Sequence, residues 1–279
     1  MNNLPSALEI ERFTEDGVAC LRGLIESSWI ERLREAIERD IANPGPYYHG
    51  YDVGGDGKFH GNLRLWEHDP DFKDYCFNSV LPEMASKFLR SDKVNLFYDQ
   101  LFVKDPGTDS PTPWHHDQPF WPVRGKQIMS FWLALDTVTQ NSGGLSYIKG
   151  SHKWNLMFQP AAFGKGETKE SQASYELNPD YVPMPDIDAE RGKYDFLDWD
   201  MEPGDVLAFH SLTVHGAPAN ASPVHRRRGY SVRYTGDDAV YYAGPGSNAQ
   251  LRNATLNDGD PLDCEQFPVV WSGKDHGHQ

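Results

Sequence analysis

Val94-Asn-Leu-Phe-Tyr-Asp-Gln-Leu-Phe-Val-Lys104 is rich in aromatic and β-branched residues and reads as a strand. Ile128 to Leu135, Leu145 to Ile148, Val206 to Phe209 and Gly229 to Thr235 have the same character, with turn residues between them. Short strands in such a series close into a sandwich or barrel, and no regular helix-strand alternation points to a doubly wound parallel sheet. Upstream the pattern is helical. Ser28 is placed to cap a helix through about Ala42, because Ile30, Leu33, Ile37 and Ile41 recur at three- and four-residue steps with Glu31, Arg34, Glu35 and Glu38 between them. Asn43-Pro-Gly-Pro46 ends it, and a second helical zone runs from about Asp71 to Arg90, with Pro82 at a helix start. The class is therefore α+β, with helices preceding an antiparallel sheet structure.

The 279 residues are organised as one domain: a helical part over about 10–90, a β core over about 94–242 and a turn-rich tail over 243–279. The stretch up to Asn62, rich in Gly, Asp and Tyr, reads as a loop or lid. Its Gly54, Gly55 and Gly57 lack the spacing of a phosphate loop and read as turns. Phe158 to Asp200 is a long polar insertion of the kind that covers a site, and Asp275-His-Gly-His-Gln279 reads as a frayed end rather than a metal site.

Hydrophobic residues make up 38% of the chain, enough for a substantial core. Forty-one acidic against twenty-six basic side chains give a formal charge of -15, which disfavours a grip on nucleic acid or anionic lipid and favours a small-molecule partner. Cys20, Cys76 and Cys264 are far apart and match neither a disulfide framework nor a metal motif, so they read as packing residues. Met1 to Asp16 lacks a secretory apolar segment and no apolar run is long enough to span a bilayer. The expectation is a soluble, cytoplasmic protein, with its oligomeric state left open.

The densest chemical signal is Pro113-Trp-His-His-Asp-Gln-Pro-Phe-Trp121. On an extended segment, side chains two apart point the same way, so His115 and Asp117 converge on one ion while His116 points away. An imidazole and a carboxylate supply two ligands of a facial set that leaves positions open on iron(II). Asp205-Val-Leu-Ala-Phe-His-Ser-Leu-Thr-Val-His215 offers a third at a strand end, and spacing alone does not separate His210 from His215. His225-Arg-Arg-Arg-Gly-Tyr-Ser-Val-Arg233 then opens a strand with a block of cations, readable as a solvated turn or as a guanidinium that grips a carboxylate.

These stretches resemble the phytanoyl-CoA dioxygenase family of iron(II)- and 2-oxoglutarate-dependent oxygenases. The resemblance rests on His115-x-Asp117, on Ser130-Phe-Trp-Leu-Ala-Leu-Asp136 with Asn141-Ser-Gly-Gly-Leu-Ser-Tyr-Ile-Lys-Gly-Ser-His152, on Gly204-Asp205 leading to His215-Gly-Ala-Pro-Ala-Asn220, and on Arg226-Arg-Arg-Gly-Tyr-Ser-Val-Arg-Tyr234. It implies one oxygenase domain with a double-stranded β-helix (jelly roll, cupin-like) and helices packed on one sheet. It implies iron ligation by His115, Asp117 and His215, which favours His215 over His210. Arg227 best matches the arginine that pairs with the distal carboxylate of 2-oxoglutarate, whereas the distance from His215 favours Arg226. Only one of these neighbours can face into the barrel. Trp132, His116 and Gln100 match positions that approach the cosubstrate, and Ala217 stands where relatives carry a serine.

The implied reaction consumes 2-oxoglutarate and O2, releases succinate and CO2, and hydroxylates an aliphatic C-H; Asp117 favours hydroxylation over halogenation, in which a small residue replaces the carboxylate. The expected substrate is a small metabolite or natural product. A fatty acyl-CoA is the alternative, although peroxisomal import signals are absent at both ends. Phe120, Trp121, Tyr47, Tyr48, Trp66, Tyr98 and Tyr147 are candidates for an aromatic lining, and Arg64 or Lys58 for meeting an anionic substrate. A non-catalytic metal-binding jelly roll and a zinc hydrolase are the competing readings, and the second lacks a spare base if Asp117 is a ligand.

Overall fold

The computed structural model of the chain describes residues 4–50, 58–160 and 176–274. Gly54, Gly55 and Gly57, the centre of the long insertion and the closing His-Gly-His segment lie outside the described residues. From the N-terminus the elements are α1 (Ala7–Asp16), β1 (Val18–Leu21), α2 (Ser27–Ala42), β2 (His49–Gly50), β3 (Phe59–Leu63), α3 (Pro70–Asn78), α4 (Leu81–Leu89), β4 (Lys93–Lys104) and β5 (Thr112–His115). They continue as β6 (Val123–Arg124), β7 (Ile128–Ala134), β8 (Ser146–Ile148), β9 (Phe196–Asp198), β10 (Val206–His210), β11 (His215–Ala217), β12 (Arg227–Thr235), β13 (Val240–Tyr241) and β14 (Val269–Ser272).

One antiparallel sheet is ordered β1-β10-β7-β12-β4-β3-β2, with β14 also on β4, and a smaller one is ordered β5-β11-β8-β9. Side chains alternate along the large sheet and sort into two cores. Phe131 and Leu133 of β7, Val206 and Ala208 of β10, and Tyr230, Val232 and Tyr234 of β12 pack against the helices through Leu33, Phe72, Tyr75 and Phe88. The opposite face carries Trp132, Ala134, Leu207 and Phe209, which meet Tyr147 of the small sheet. Two facing sheets with helices on the outer side of one form the expected double-stranded β-helix.

Several local expectations need correction. Ser28 does not cap α2: the cap position is Glu26, whose side chain makes no capping hydrogen bond, and the helix begins at Ser27. The Asp71 to Arg90 zone is two helices, the second with Pro82 in its first turn. The stretch before Asn62 is not all loop, since β2 pairs with β3 and β3 is buried against β4. The helix α1 carries its own signal: Ser6 accepts the Glu9 backbone N–H while the Glu9 carboxylate accepts from the Ser6 backbone.

The end of α1 bears on the candidate site. Gly17 closes the helix at φ 86° and donates its N–H to the Phe13 carbonyl. Its own carbonyl accepts the His210 N–H at 2.9 Å and the Thr213 hydroxyl at 2.8 Å, tying the helix to the loop that leads into β11. A Cβ at Gly17 would lie 2.5 Å from His152 Nδ1 and 2.6 Å from Thr213 Oγ1. Gly17→Ala is therefore expected to cost about 1–3 kcal/mol through backbone strain and overpacking. Urea unfolding checks this, and an unchanged midpoint would refute the tethering role.

Candidate active site

Strands β5 and β11 pair with His115 opposite His215, which brings the two imidazole centroids to 4.2 Å. Asp117 joins them from beyond the end of β5. Its backbone is helical (φ -72°, ψ -42°) and caps a short turn, Gln118–Phe120, so the carboxylate arrives by a turn and not by the two-residue alternation of an extended strand. The Ser211 carbonyl holds that turn by accepting the Asp117 and Gln118 N–H groups at 2.9 and 3.1 Å. Asp117 Oδ1 lies 3.5 Å from His115 Nε2 and 3.8 Å from His215 Nε2.

Backbone carbonyls orient both rings. His115 Nδ1 lies 2.8 Å from the Pro113 carbonyl and His215 Nδ1 lies 2.9 Å from that of Thr213. An N–H facing each carbonyl leaves the Nε2 lone pairs directed at Asp117. Three electron-pair donors within 4.8 Å of one another make a set that fits a divalent cation. Ser130 Oγ donates to Asp117 Oδ2 at 3.1 Å, which occupies one carboxylate oxygen and leaves Oδ1 for an ion.

His210, the other histidine left open by spacing, sits apart. Its Nε2 meets the Lys126 carbonyl at 2.9 Å and its Nδ1 accepts the Leu212 N–H at 3.1 Å. His116 does not approach the cavity as the resemblance implied. It accepts the Phe158 N–H at 2.9 Å on the far side of the turn, as alternation along the segment predicts.

A cavity of about 480 Å³ opens on the histidine-aspartate cluster, within the range of small-molecule sites. Gln100, Trp132 and Arg227 line it. Arg227 is 2% exposed, its Nε has no hydrogen-bond partner, and its guanidinium carbon lies 5.5 Å from the Trp132 ring centroid. Burial pulls its pKa down to about 10, partly offset by Asp136, so it keeps its charge at neutral pH. Its neighbours face outward: Arg226 pairs with Asp105 at 2.8 Å and Glu38 at 3.2 Å, and Arg228 pairs with Asp136 at 2.6 Å. The strand starts at Arg227, two residues earlier than expected, and this places Arg227 on the inward parity. Gly229 follows on the same face, where a Cβ would meet the Trp132 ring at 2.1 Å, so only glycine lets that indole lie flat beneath the strand.

Sequence reading missed two cations. Lys104 is fully buried opposite Arg227 in the β4–β12 ladder, donates to the Pro218 carbonyl at 2.9 Å and lies 4.9 Å from the Phe59 centroid. Burial and the Arg227 charge push its pKa well below the usual lysine range. Arg233 is 3% exposed and lines the cavity three inward positions beyond Arg227. The signal for Arg233 was its even spacing from Arg227 on one strand, whereas Lys104 has none, since its place depends on the pairing of β4 with β12. Of the proposed anion-binding residues, Arg64 is committed to Glu67 at 2.8 Å and Lys58 does not line the cavity. Phe120, Trp121 and Tyr98 line it, and Tyr47 packs against their cluster; Tyr147 stacks on His215 at 5.3 Å from behind, Trp66 belongs to the helix-side core and Tyr48 is exposed.

The model of the phytanoyl-CoA dioxygenase family matches residues 13–229. A Caenorhabditis elegans protein described as a probable phytanoyl-CoA dioxygenase is 28% identical over 180 residues, covering 62% of this chain and 54% of the relative, so the match spans about half of that protein. Among solved structures, the non-heme α-ketoglutarate-dependent carbocyclase SnoK from nogalamycin biosynthesis superposes with a TM-score of 0.73 at 22% identity, over 96% of this chain and 97% of its own. The epimerase SnoN, solved with Fe3+, α-ketoglutarate and nogalamycin RO, gives 0.73 at 19% identity over 95% and 98%.

Buried histidines make stability depend on pH. Burial holds His116 at about 3 and His49, His210 and His215 at about 4, so each is neutral in the fold. In the unfolded chain they take up protons below about 6.5, so the unfolded state binds more protons between pH 6.5 and 4. Asp99, pushed up to about 7 by burial, acts in the opposite sense but is one group against four. The Tm of the metal-free protein should therefore fall as pH drops from 6.5 to 4. Calorimetry showing a level or rising Tm across that interval would contradict this.

Proposed function

The chain belongs to the phytanoyl-CoA dioxygenase family, and from that premise we propose that it is an iron(II)- and 2-oxoglutarate-dependent dioxygenase hydroxylating an aliphatic C–H of a small metabolite or natural product. One observation carries the reading: His115, Asp117 and His215 converge in the same cavity as a buried guanidinium, Arg227, whose Nε lacks a partner. Iron(II) and 2-oxoglutarate would supply oxidative decarboxylation to succinate and CO2, coupled to insertion of one oxygen atom of O2 into the substrate C–H.

The chain's own residues do the holding. His115 Nε2, Asp117 Oδ1 and His215 Nε2 would hold the ion as a three-ligand set that leaves coordination positions for cosubstrate and O2. Arg227 would hold the distal carboxylate of 2-oxoglutarate, with the Lys104 amine opposite it in the β4–β12 ladder. Trp132 forms a wall along that carboxylate, and Gln100 offers an amide from β4. Tyr147 and Phe209, with centroids 5.3 and 5.0 Å from that of His215, shield the cluster from water on the inner side. Asp117 retains a carboxylate in the ligand set, which favours hydroxylation over halogenation.

The cavity volume supports a small substrate, as do the relatives named for nogalamycin biosynthesis. A fatty acyl-CoA would have to keep its nucleotide outside. We read the chain as one oxygenase domain, since a single core joins α1 to α4 with the large sheet. A cytoplasmic location suits its free thiols Cys20, Cys76 and Cys264.

Anaerobic titration with iron(II) and then 2-oxoglutarate tests the reading. A visible charge-transfer band should appear only with both components, and iron binding without a band on adding 2-oxoglutarate would favour a non-catalytic or hydrolytic role. Arg227→Ala should weaken 2-oxoglutarate binding by about 2–5 kcal/mol while Arg226→Ala leaves it near wild type; the reverse result would move the role to Arg226. Asp117→Ala should abolish hydroxylation, and full turnover in that variant would remove Asp117 from the ligand set.

A further inference from the structure

The inward face of β12 presents a second guanidinium that the cosubstrate reading leaves unused. Arg233 is buried at 3% exposure and lines the cavity with Ser231 and Arg227. Of its five N–H donors, the described residues occupy one, through a 3.3 Å contact from NH1 to the Ser231 carbonyl. Its Nε has no partner, nor has the neighbouring Ser231 Oγ. Among the described residues it forms no ion pair, in contrast to Arg226 and Arg228 on the outer face.

Aromatic rings hold the group in place. The guanidinium carbon lies 4.5 Å from the centroid of Tyr98, 5.8 Å from Phe102 and 5.9 Å from Trp121. Trp121 Nε1 donates to the Tyr98 hydroxyl at 2.8 Å, so two of these rings brace each other. A charged fork fixed by rings, with one donor on the Ser231 carbonyl and its Nε unpaired, is a built receptor for a planar anion.

Charge matching points the same way and rests on the iron and 2-oxoglutarate reading. Among the described residues that line the cavity Asp117 is the one carboxylate, and it would be committed to the ion with iron(II) bound. Two guanidiniums and the divalent ion then exceed Asp117 and the 2-oxoglutarate dianion by one positive charge, without counting Lys104. A buried unmatched cation is costly, and a monoanionic ligand would relieve it.

We propose that Arg233 anchors a carboxylate or similar anionic group of the primary substrate, against an aromatic wall of Tyr98, Phe120 and Trp121. The primary substrate is thus an organic acid with an apolar or ring-bearing body, and Arg233 selects it over neutral analogues. Arg227 and Arg233 divide the work, the first holding cosubstrate and the second orienting the C–H bond to be attacked.

The test uses the full chain loaded anaerobically with iron(II) and saturating 2-oxoglutarate. Calorimetry compares matched pairs of acid and amide: benzoate with benzamide, 3-phenylpropionate with 3-phenylpropanamide, and cyclohexanecarboxylate with its amide. At least one acid should bind the wild type ten times more tightly than its amide. Arg233→Gln should reduce that preference to within twofold, Arg233→Lys should restore part of it, and 2-oxoglutarate affinity should move less than threefold in both. Equal binding of acid and amide in every pair, or no binding of any probe to the wild type, overturns the proposal without recourse to a variant. Retained preference in a folded Arg233→Gln protein also overturns it. Loss of 2-oxoglutarate binding in Arg233→Gln as large as in Arg227→Ala would assign the residue to the cosubstrate instead. The charge-transfer band of the wild type is read first: its absence fails the oxygenase reading, whereas failure of the acid preference in a protein that shows the band fails this inference alone.

Discussion

Side chains on a β-strand alternate between two faces, and the central strand β12 shows how much of this molecule depends on that constraint. Its even-numbered residues Tyr230, Val232 and Tyr234 are sealed against the helices. Its odd-numbered residues Arg227, Ser231 and Arg233 line the cavity, with Gly229 making room for Trp132. A one-residue slip would drive guanidiniums into the helix-side core and tyrosines into the cavity. Pairing of β12 with both β4 and β7, each in a long ladder, holds the register. The polar cavity is therefore a by-product of the apolar core on the other side of the same sheet.

The protein keeps its charges in two different conditions. Outside, cations are matched: Arg226 by Asp105 and Glu38, Arg228 by Asp136, Arg32 by Asp71 and Asp74. Inside, Arg227, Lys104 and Arg233 are buried: Lys104 and Arg233 each donate to one backbone carbonyl, and the Nε atoms of Arg227 and Arg233 have no partner. Such a site is destabilising when empty and stabilised by whatever anions it binds, so ligand affinity and fold stability are linked through the same residues. The formal charge of -15 describes the surface and says nothing of this interior, where low polarity and confinement focus a positive field.

The proposed ligand set draws on contacts distant in sequence. His115 and His215 meet because β5 and β11 pair, Asp117 is aimed by the Ser211 carbonyl, and the loop before β11 is tethered to the end of α1 through Gly17. Each ring nitrogen turned toward the cluster is set by a backbone carbonyl on the opposite side. These supports lie in loops whose sequences look unremarkable, and their role is visible only once the chain is folded.

What the sequence by itself determined were the features written in local periodicity and local chemistry. The strand run from Val94 to Lys104, the apolar stripe of α2, the His-x-Asp pair and the arginine block were legible because each depends on residues near one another in the chain. The Ser6 to Glu9 capping box was equally local but was not read. The tertiary structure decided the rest: that Asp117 reaches the histidines by a turn, that His210 and His116 are held elsewhere, that Arg227 and Arg233 face inward, and that Lys104 lies beside Arg227. Those outcomes follow from cross-strand register and from which face of the sheet the helices cover, and both are set by contacts a hundred or more residues apart.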